Sequence, residues 1–199
     1  ALTATALYRL ASQEIGRLPG ALVGAGYLLY FATLRSHGSA FHPAALAAPL
    51  ILFALDAYRR QRYALYYALL ALAMAAGVDA GLSVAGLGLY LLLSRSDRSH
   101  GPLTLGLGLG WALVATGAFV PFFGGTAAQV LEPYSPPQGV SGLGHVAGQL
   151  LRPQALQYLG ALLAPLGFTP LLGAPLLLPA LPHVLLNLVA RAPSYTALY

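Results

Sequence analysis

The sequence predicts an all-α protein, a polytopic bundle of transmembrane helices. Three observations predict it. Hydrophobic residues make up 58% of the 199 residues and charged residues only 8%, against about 25% charged residues in soluble domains. The mean hydropathy is +0.72, and long apolar runs alternate with short segments that carry arginine. The chain has no cysteine, which excludes disulfides, thiol catalysis and cysteine-ligated metals within it.

The apolar runs predict about seven spans, preceded by the end of another span at residues 1–8. The spans fall at 18–34, 43–57, 63–76, 78–93, 103–120, 154–168 and 175–189. Several have only about 15 residues and need tilt, bilayer thinning or burial within the bundle. Glycine and a proline-rich end indicate short, broken helices. Because the chain starts without Met and ends on Tyr199, we expect a single membrane domain over 1–199 that is a piece of a longer protein.

Asp79 is the most informative residue, because it is the sole charged residue of the run 63–93. One helix of about 31 residues would extend about 46 Å, whereas the hydrocarbon core is about 30 Å thick. We therefore expect two helices with a break within two or three residues of Gly77. A carboxylate at membrane depth costs about 2.5–3.5 kcal/mol and usually faces a cavity or a partner. The alternative is that Asp79 caps the second helix.

Arginine predicts the orientation. The net charge is +5 with no lysine, and the arginines flank apolar runs, an arrangement that orients membrane spans and argues against nucleic acid as a partner. We expect Arg9 and Arg17 to flank a first cytoplasmic loop, and the segments Arg59–Arg62 and Arg95–Arg98 to be cytoplasmic in a multi-pass cell-membrane protein. Residues 35–41, 77–81 and 121–153 then face outward, where Arg35 and Arg152 break the charge rule. Short arginine segments of this kind are expected to be membrane anchors.

Glycines at four-residue spacing predict close helix packing. The pairs are Gly20/Gly24, Gly77/Gly81 and Gly106/Gly110, and such pairs let helix backbones approach each other. The stretch Gly106-Leu-Gly-Leu-Gly110 also resembles part of a nucleotide-binding loop. It follows no strand and lies in an apolar helix, so packing is favoured.

Three stretches carry a resemblance to a known family. The first is Tyr8-Arg9-Leu10-Ala11 with Ala40-Phe41-His42-Pro43-Ala44, and the second is Val78-Asp79-Ala80 with Ala85-Gly86-Leu87-Gly88-Leu89-Tyr90. The third runs from Tyr158-Leu159 through Ala164-Pro165-Leu166-Gly167-Phe168-Thr169-Pro170-Leu171 to Leu181-Pro182 and Asn187-Leu188. In this order they resemble the prokaryotic membrane-protein family known as domain of unknown function two thousand and seventy-nine. That family is similar to the GT-C glycosyltransferases, multi-span enzymes that use lipid-linked sugar donors at the outer face. The resemblance implies a GT-C-like bundle, with a polyprenyl-phosphate-linked sugar as a partner.

The chain departs from the family's usual residues. The family usually reads Asp-Phe-His-Pro-Glu where this chain has Ala40 and Ala44, and Lys-Glu-Asp where it has Gly77-Val78-Asp79. The N-terminal span and the first outer loop, where GT-C enzymes carry their acidic motif, are expected to be missing from this piece.

The candidate site residues all fall on the expected outer side. His42 precedes Pro43 at a helix start, and short connections are expected to bring it within about 12 Å of Asp79. These two are predicted as catalytic residues in supporting roles. Arg35, Arg152 and His145 are predicted to contact the donor phosphate, since arginine binds phosphate in bidentate fashion. A divalent metal stays open as a cofactor, although Asp79 alone offers few of the oxygen ligands that such an ion favours.

Three function classes stay open. The first is a glycosyltransferase, whose reaction class rests on family resemblance. The second is a non-catalytic subunit or scaffold of a larger membrane assembly, which the missing carboxylates at Ala40 and Ala44 favour. The third is a transporter, because intramembrane Asp and His also suit ion pathways, but we find no inverted repeat to support it.

Overall fold

The computed structural model describes residues 1–29, 43–94, 99–132, 146, 148–164 and 177–189. Every regular element within these ranges is helical, as the composition predicts. The chain divides into two compact units, Ala1–Ala80 and Gly81–Tyr199.

The described part of the first unit contains four α-helices and one 3₁₀ turn. They are α1 (Leu2–Ile15), α2 (Arg17–Leu29), the turn Pro43–Leu46, α3 (Ala47–Arg59) and α4 (Tyr63–Ala76). Helix α1 packs against both α2 and α3, and α3 packs against α4. The buried side chains between them are mostly small, which lets the helices lie close together, and Tyr66 and Leu70 are the largest. The predicted spans 43–57 and 63–76 coincide with the 3₁₀–α3 segment and with α4.

The predicted loop between Arg9 and Arg17 is wrong. Helix α1 continues through Arg9 to Ile15 and ends at Gly16, whose φ of 91° is in the left-handed region that favours glycine. The apolar run stops at residue 8, but the helix does not, because the polar residues after it face α3. A hydrophobicity-based boundary marks the end of an apolar surface and does not have to mark the end of a helix.

Gly20 and Gly24 mark the contact between α1 and α2, as their spacing predicts. A Cβ atom on Gly20 would lie 2.8 Å from the backbone nitrogen of Ser12, and one on Gly24 would lie 3.1 Å from the carbonyl oxygen of Ala4. Neither site has room for a side chain without a shift of α1. The two helices therefore depend on these glycines for their close approach.

The predicted break near Gly77 is confirmed. Helix α4 ends at Ala76 and the next helix starts at Ala80. Gly77 between them is extended, with φ −167° and ψ 146°, so the helical hydrogen-bond pattern stops there. The backbone nitrogen of Ala80 donates to the carbonyl oxygen of Gly77 at 3.3 Å, which closes a tight turn that contains Val78 and Asp79.

The described part of the second unit has six further α-helical segments. They are α5 (Ala80–Leu93), α6 (His100–Val114), α7 (Val120–Phe122), α8 (Ala127–Leu131), α9 (Pro153–Leu163) and α10 (Leu181–Val189). A π-helical segment, Ala115–Phe119, joins α6 to α7, so that His100–Phe122 is one helix of 23 residues. The predicted span 103–120 lies within it.

The helix His100–Phe122 is long and apolar enough to cross a membrane. At 1.5 Å per residue it extends about 35 Å, which exceeds the hydrocarbon thickness of about 30 Å. Among the described helices no other meets this criterion, and α4 and α5 are shorter apolar helices of 14 residues each. The prediction of about seven spans is therefore not confirmed and stays a prediction.

Helices α5 and α6 approach each other closely through glycine. A Cβ atom on Gly81 would lie 2.7 Å from the carbonyl oxygen of Gly108, and one on Gly108 would lie 2.8 Å from the Cα atom of Ala85. The predicted packing role of the pair Gly106/Gly110 is wrong, since no described atom lies within 4 Å of a Cβ placed on either residue. The contact uses Gly108, midway between them, because α6 is rotated so that this residue faces α5.

Candidate functional site

The structure describes two of the five predicted site residues. Asp79 is exposed in the turn between α4 and α5, and Arg152 is exposed directly before α9. His42, Arg35 and His145 lie outside the described residues. The expected proximity of His42 and Asp79 is therefore not tested and stays a prediction.

Asp79 lies where its capping interpretation places it, and its catalytic role stays a prediction. It directly precedes α5, which is where a capping residue sits, and it is exposed. The turn that holds it connects two helices without any charged residue. An exposed carboxylate in a turn between two apolar helices is a group that can bind a cation or accept a proton.

A second carboxylate, which is not among the predicted site residues, is the centre of a polar cluster. Asp56 lies in α3 and its side chain is only 6% exposed. Its Oδ1 accepts hydrogen bonds from Nε2 of Gln13 at 2.8 Å and from Nε of Arg60 at 3.0 Å. Its Oδ2 forms an ion pair with Nη2 of Arg9 at 2.9 Å. We call Asp56, Arg9, Gln13 and Arg60 the Asp56 cluster.

Local helix geometry assembles the Asp56 cluster. Arg9 and Gln13 are four residues apart on α1, so that both project from one face of that helix. Asp56 and Arg60 have the same spacing at the end of α3. Because α1 packs against α3, the two faces meet and close the cluster. The guanidinium of Arg9 also lies 5.8 Å from the ring centroid of Phe53, within cation–π range.

A second ion pair joins the same two helices near the surface. Nη1 of Arg59 lies 2.6 Å from Oε1 of Glu14, and the Glu14 side chain is 63% exposed. Exposed pairs contribute little stability. The pair between Arg9 and the buried Asp56 is the better shielded of the two links between α1 and α3.

A cavity opens next to the Asp56 cluster. Its volume is about 230 Å³, and it lies among α1, α3, the turn that follows α3, and the start of α4. Three arginines and Asp56 line it, together with apolar side chains of α3 and α4. The cavity therefore combines positive charge with apolar side chains.

The Asp56 cluster has donors for hydrogen bonds and does not have the ligands of a metal site. Among the residues that the structure describes, no group of three or more His, Cys, Asp or Glu side chains could hold a metal ion. Asp56 is occupied by two guanidinium groups and an amide, so it is not available as a general base. Its arginines retain unused donors, since a guanidinium has five.

The sequence contains a signal that could have identified Asp56. The chain has five Asp and Glu residues in all, and Asp56 lies within a predicted span with Arg60 four residues later. A buried carboxylate needs a partner, and an arginine at that spacing is one candidate. The partners on α1 were beyond prediction, because nothing local indicates which face of α3 contacts which helix.

The comparison with known protein families bears on the whole chain. The model of the family described as Predicted membrane protein (DUF2079) matches residues 1–199. The chain belongs to this family. No curated protein matches it, and no solved structure does. Membership establishes a membrane protein of a family whose function is not established, in agreement with the resemblance in its sequence.

Proposed function

We propose that this chain forms part of a multi-pass cell-membrane glycosyltransferase. The enzyme would transfer a sugar from a polyprenyl-phosphate donor to an acceptor at the outer membrane face. The proposal rests on the GT-C resemblance of the family for its reaction class, and on one observation for its site. That observation is the exposed carboxylate of Asp79 at the break between the apolar helices α4 and α5.

In this proposal Asp79 supports the chemistry by accepting a proton. The acceptor hydroxyl loses its proton to the carboxylate, and its oxygen bonds to the anomeric carbon of the donor sugar. The bond from that carbon to the phosphate oxygen breaks, and polyprenyl phosphate leaves. Arg35, Arg152 and His145 would neutralise the leaving phosphate, and His42 would line the same outer cavity. A divalent metal could share that role.

The topology of the proposal follows the arginine distribution. The turn Arg59–Arg62 and the segment Arg95–Arg98 lie in the cytoplasm, and the turn that contains Asp79 lies outside. This orientation separates the Asp79 turn from the Asp56 cluster, which adjoins the arginine turn at the end of α3.

Asp79→Asn in the full-length protein tests the enzymatic role. Membranes containing it would be supplied with a radiolabelled hexose on polyprenyl phosphate, and label in the acceptor fraction would be counted. We expect transfer to fall about a hundredfold, the low end of what a general base contributes, with unchanged membrane insertion. Glu132→Gln, which alters another exposed carboxylate, is the matched control and should retain transfer. Equal transfer by both variants would leave Asp79 with only a capping role.

A non-catalytic subunit is the second candidate function, and one observation favours it. The buried carboxylate that the structure describes, Asp56, serves to join α1 to α3. A scaffold requires such a joint and does not require the carboxylates that Ala40 and Ala44 replace. Wild-type membranes that transfer no hexose, together with a stoichiometric membrane partner after mild cross-linking, would support this function over the enzyme.

A further inference from the structure

The cavity beside the Asp56 cluster carries more positive than negative charge. Three arginines line it, Arg9, Arg60 and Arg62, against the single carboxylate of Asp56. Three positive charges and one negative charge leave a formal net charge of +2. An anion is therefore the ligand that this cavity favours. This inference does not depend on the proposed transfer reaction.

The arginines have donors left for such an anion. Arg9 contacts Asp56 through Nη2 and Arg60 does so through Nε, so each guanidinium keeps further N–H groups. The side chain of Arg62 is exposed and forms no ion pair or side-chain hydrogen bond with any described residue. Its backbone is fixed, since its nitrogen donates to the carbonyl oxygen of Ala57 at 2.9 Å. Arg62 therefore presents a cationic side chain to the cavity from a backbone position fixed by a hydrogen bond.

Apolar side chains also line the cavity, and exposed apolar residues continue from it along α4. Leu65 and Leu69 line the cavity one turn apart, and Leu65 is 46% exposed. Leu72, further along the same helix, is also exposed, at 57%. Helix α4 begins directly after Arg62 and contains no charged residue. The arginines of the cavity therefore lie next to the exposed leucines of α4.

We propose that this cavity binds an anionic phospholipid. The phosphate would pair with Arg62 and with the unused donors of Arg9 and Arg60, and an acyl chain would lie along Leu65 and Leu69. Arginine forks match phosphate geometry, and basic pockets between membrane helices on the cytoplasmic side bind such headgroups. The apolar side chains would bury part of an acyl chain, whereas they would contribute nothing to the binding of a free phosphate ion. The proposed occupant is therefore a lipid.

Native mass spectrometry of the detergent-purified full-length protein tests the proposal. Phosphatidylglycerol and phosphatidylcholine would be titrated separately, and inorganic phosphate would be added as a competitor. We expect tighter binding of phosphatidylglycerol, and an affinity about fivefold lower in Arg62→Gln, since one basic group near an anionic lipid contributes about 1 kcal/mol. Arg17→Gln is the matched control, because Arg17 is exposed in the same unit and does not line the cavity.

A second variant separates lipid from free phosphate. Leu65→Gln keeps every charge and alters the apolar lining, so it should weaken phosphatidylglycerol binding while membrane insertion is unchanged. Equal affinity for the two lipids would overturn the proposal, as would equal effects of Arg62→Gln and Arg17→Gln. If millimolar phosphate displaced all bound phosphatidylglycerol and Leu65→Gln had no effect, the ligand of the cavity would be a free anion and not a lipid.

Discussion

At the scale of single residues, Asp56 is the buried side chain that links α1 and α3 through three polar partners. It is nearly fully buried and satisfies two arginines and Gln13. In Asp56→Ala the guanidinium groups of Arg9 and Arg60 lose their shared acceptor and repel each other. We expect a loss of about 2–3 kcal/mol in the free energy of unfolding. Thermal or urea denaturation of the full-length protein in detergent measures it.

Glu14→Gln is the control for that experiment. It removes the other ion pair between α1 and α3, which is exposed and should contribute no more than about 1 kcal/mol. If Glu14→Gln cost as much as Asp56→Ala, general charge loss and not the buried cluster would explain the effect.

The two carboxylates show what sequence can predict about a site. Asp79 stood out because its neighbours are apolar and two glycines flank it, which are local features, and the structure places it in the expected turn. Asp56 did not stand out, because its importance comes from Arg9 and Gln13, more than 40 residues away. Contacts between distant segments depend on helix packing, which one sequence does not encode visibly.

At the scale of helices, Gly108 is the test of how α5 and α6 pack. Gly108→Ala would place a Cβ atom against the backbone of Ala85 and Gly81, so the helices must separate. Overpacking of this kind typically costs about 1–3 kcal/mol, and a lower midpoint of thermal unfolding in detergent would reveal it.

Gly106→Ala provides the matched control on the same helix. No described atom lies near a Cβ at this position, and Ala is the better helix former by roughly 0.5–1 kcal/mol. The unfolding midpoint should stay constant or rise. A loss of stability in Gly106→Ala equal to that in Gly108→Ala would contradict the rotation of α6 seen here.

Helix ends and helix rotations differ in how well sequence predicts them. The break at Gly77 followed from length and from glycine beside a carboxylate, and it was confirmed. The rotation of α6 did not follow, because this helix is apolar on all sides and its glycines occur at every second position. Gly106, Gly108 and Gly110 are equally suited to packing by residue type, and only the partner helix selects Gly108.

At the scale of the whole molecule, composition predicts a helical membrane protein, and family membership agrees. The number of spans is harder to predict, since α4 and α5 have 14 residues each and reach only about 21 Å. Helices of this length cross a membrane only where the bilayer thins or where other helices bury their ends. Apolar length alone does not distinguish these arrangements.

Orientation is the prediction that the whole molecule must satisfy. Single cysteines at Gln61 and Gly139 would be introduced into a full-length protein without other cysteines, and intact cells would be treated with a membrane-impermeant maleimide. Gln61 is exposed in the arginine turn between α3 and α4, and Gly139 belongs to the segment expected outside. Because arginine-rich turns are retained in the cytoplasm, Gly139→Cys should label in intact cells, whereas Gln61→Cys should label only after permeabilisation. Labelling of both from the same side would overturn the topology and, with it, the separation of an outer Asp79 turn from a cytoplasmic lipid cavity.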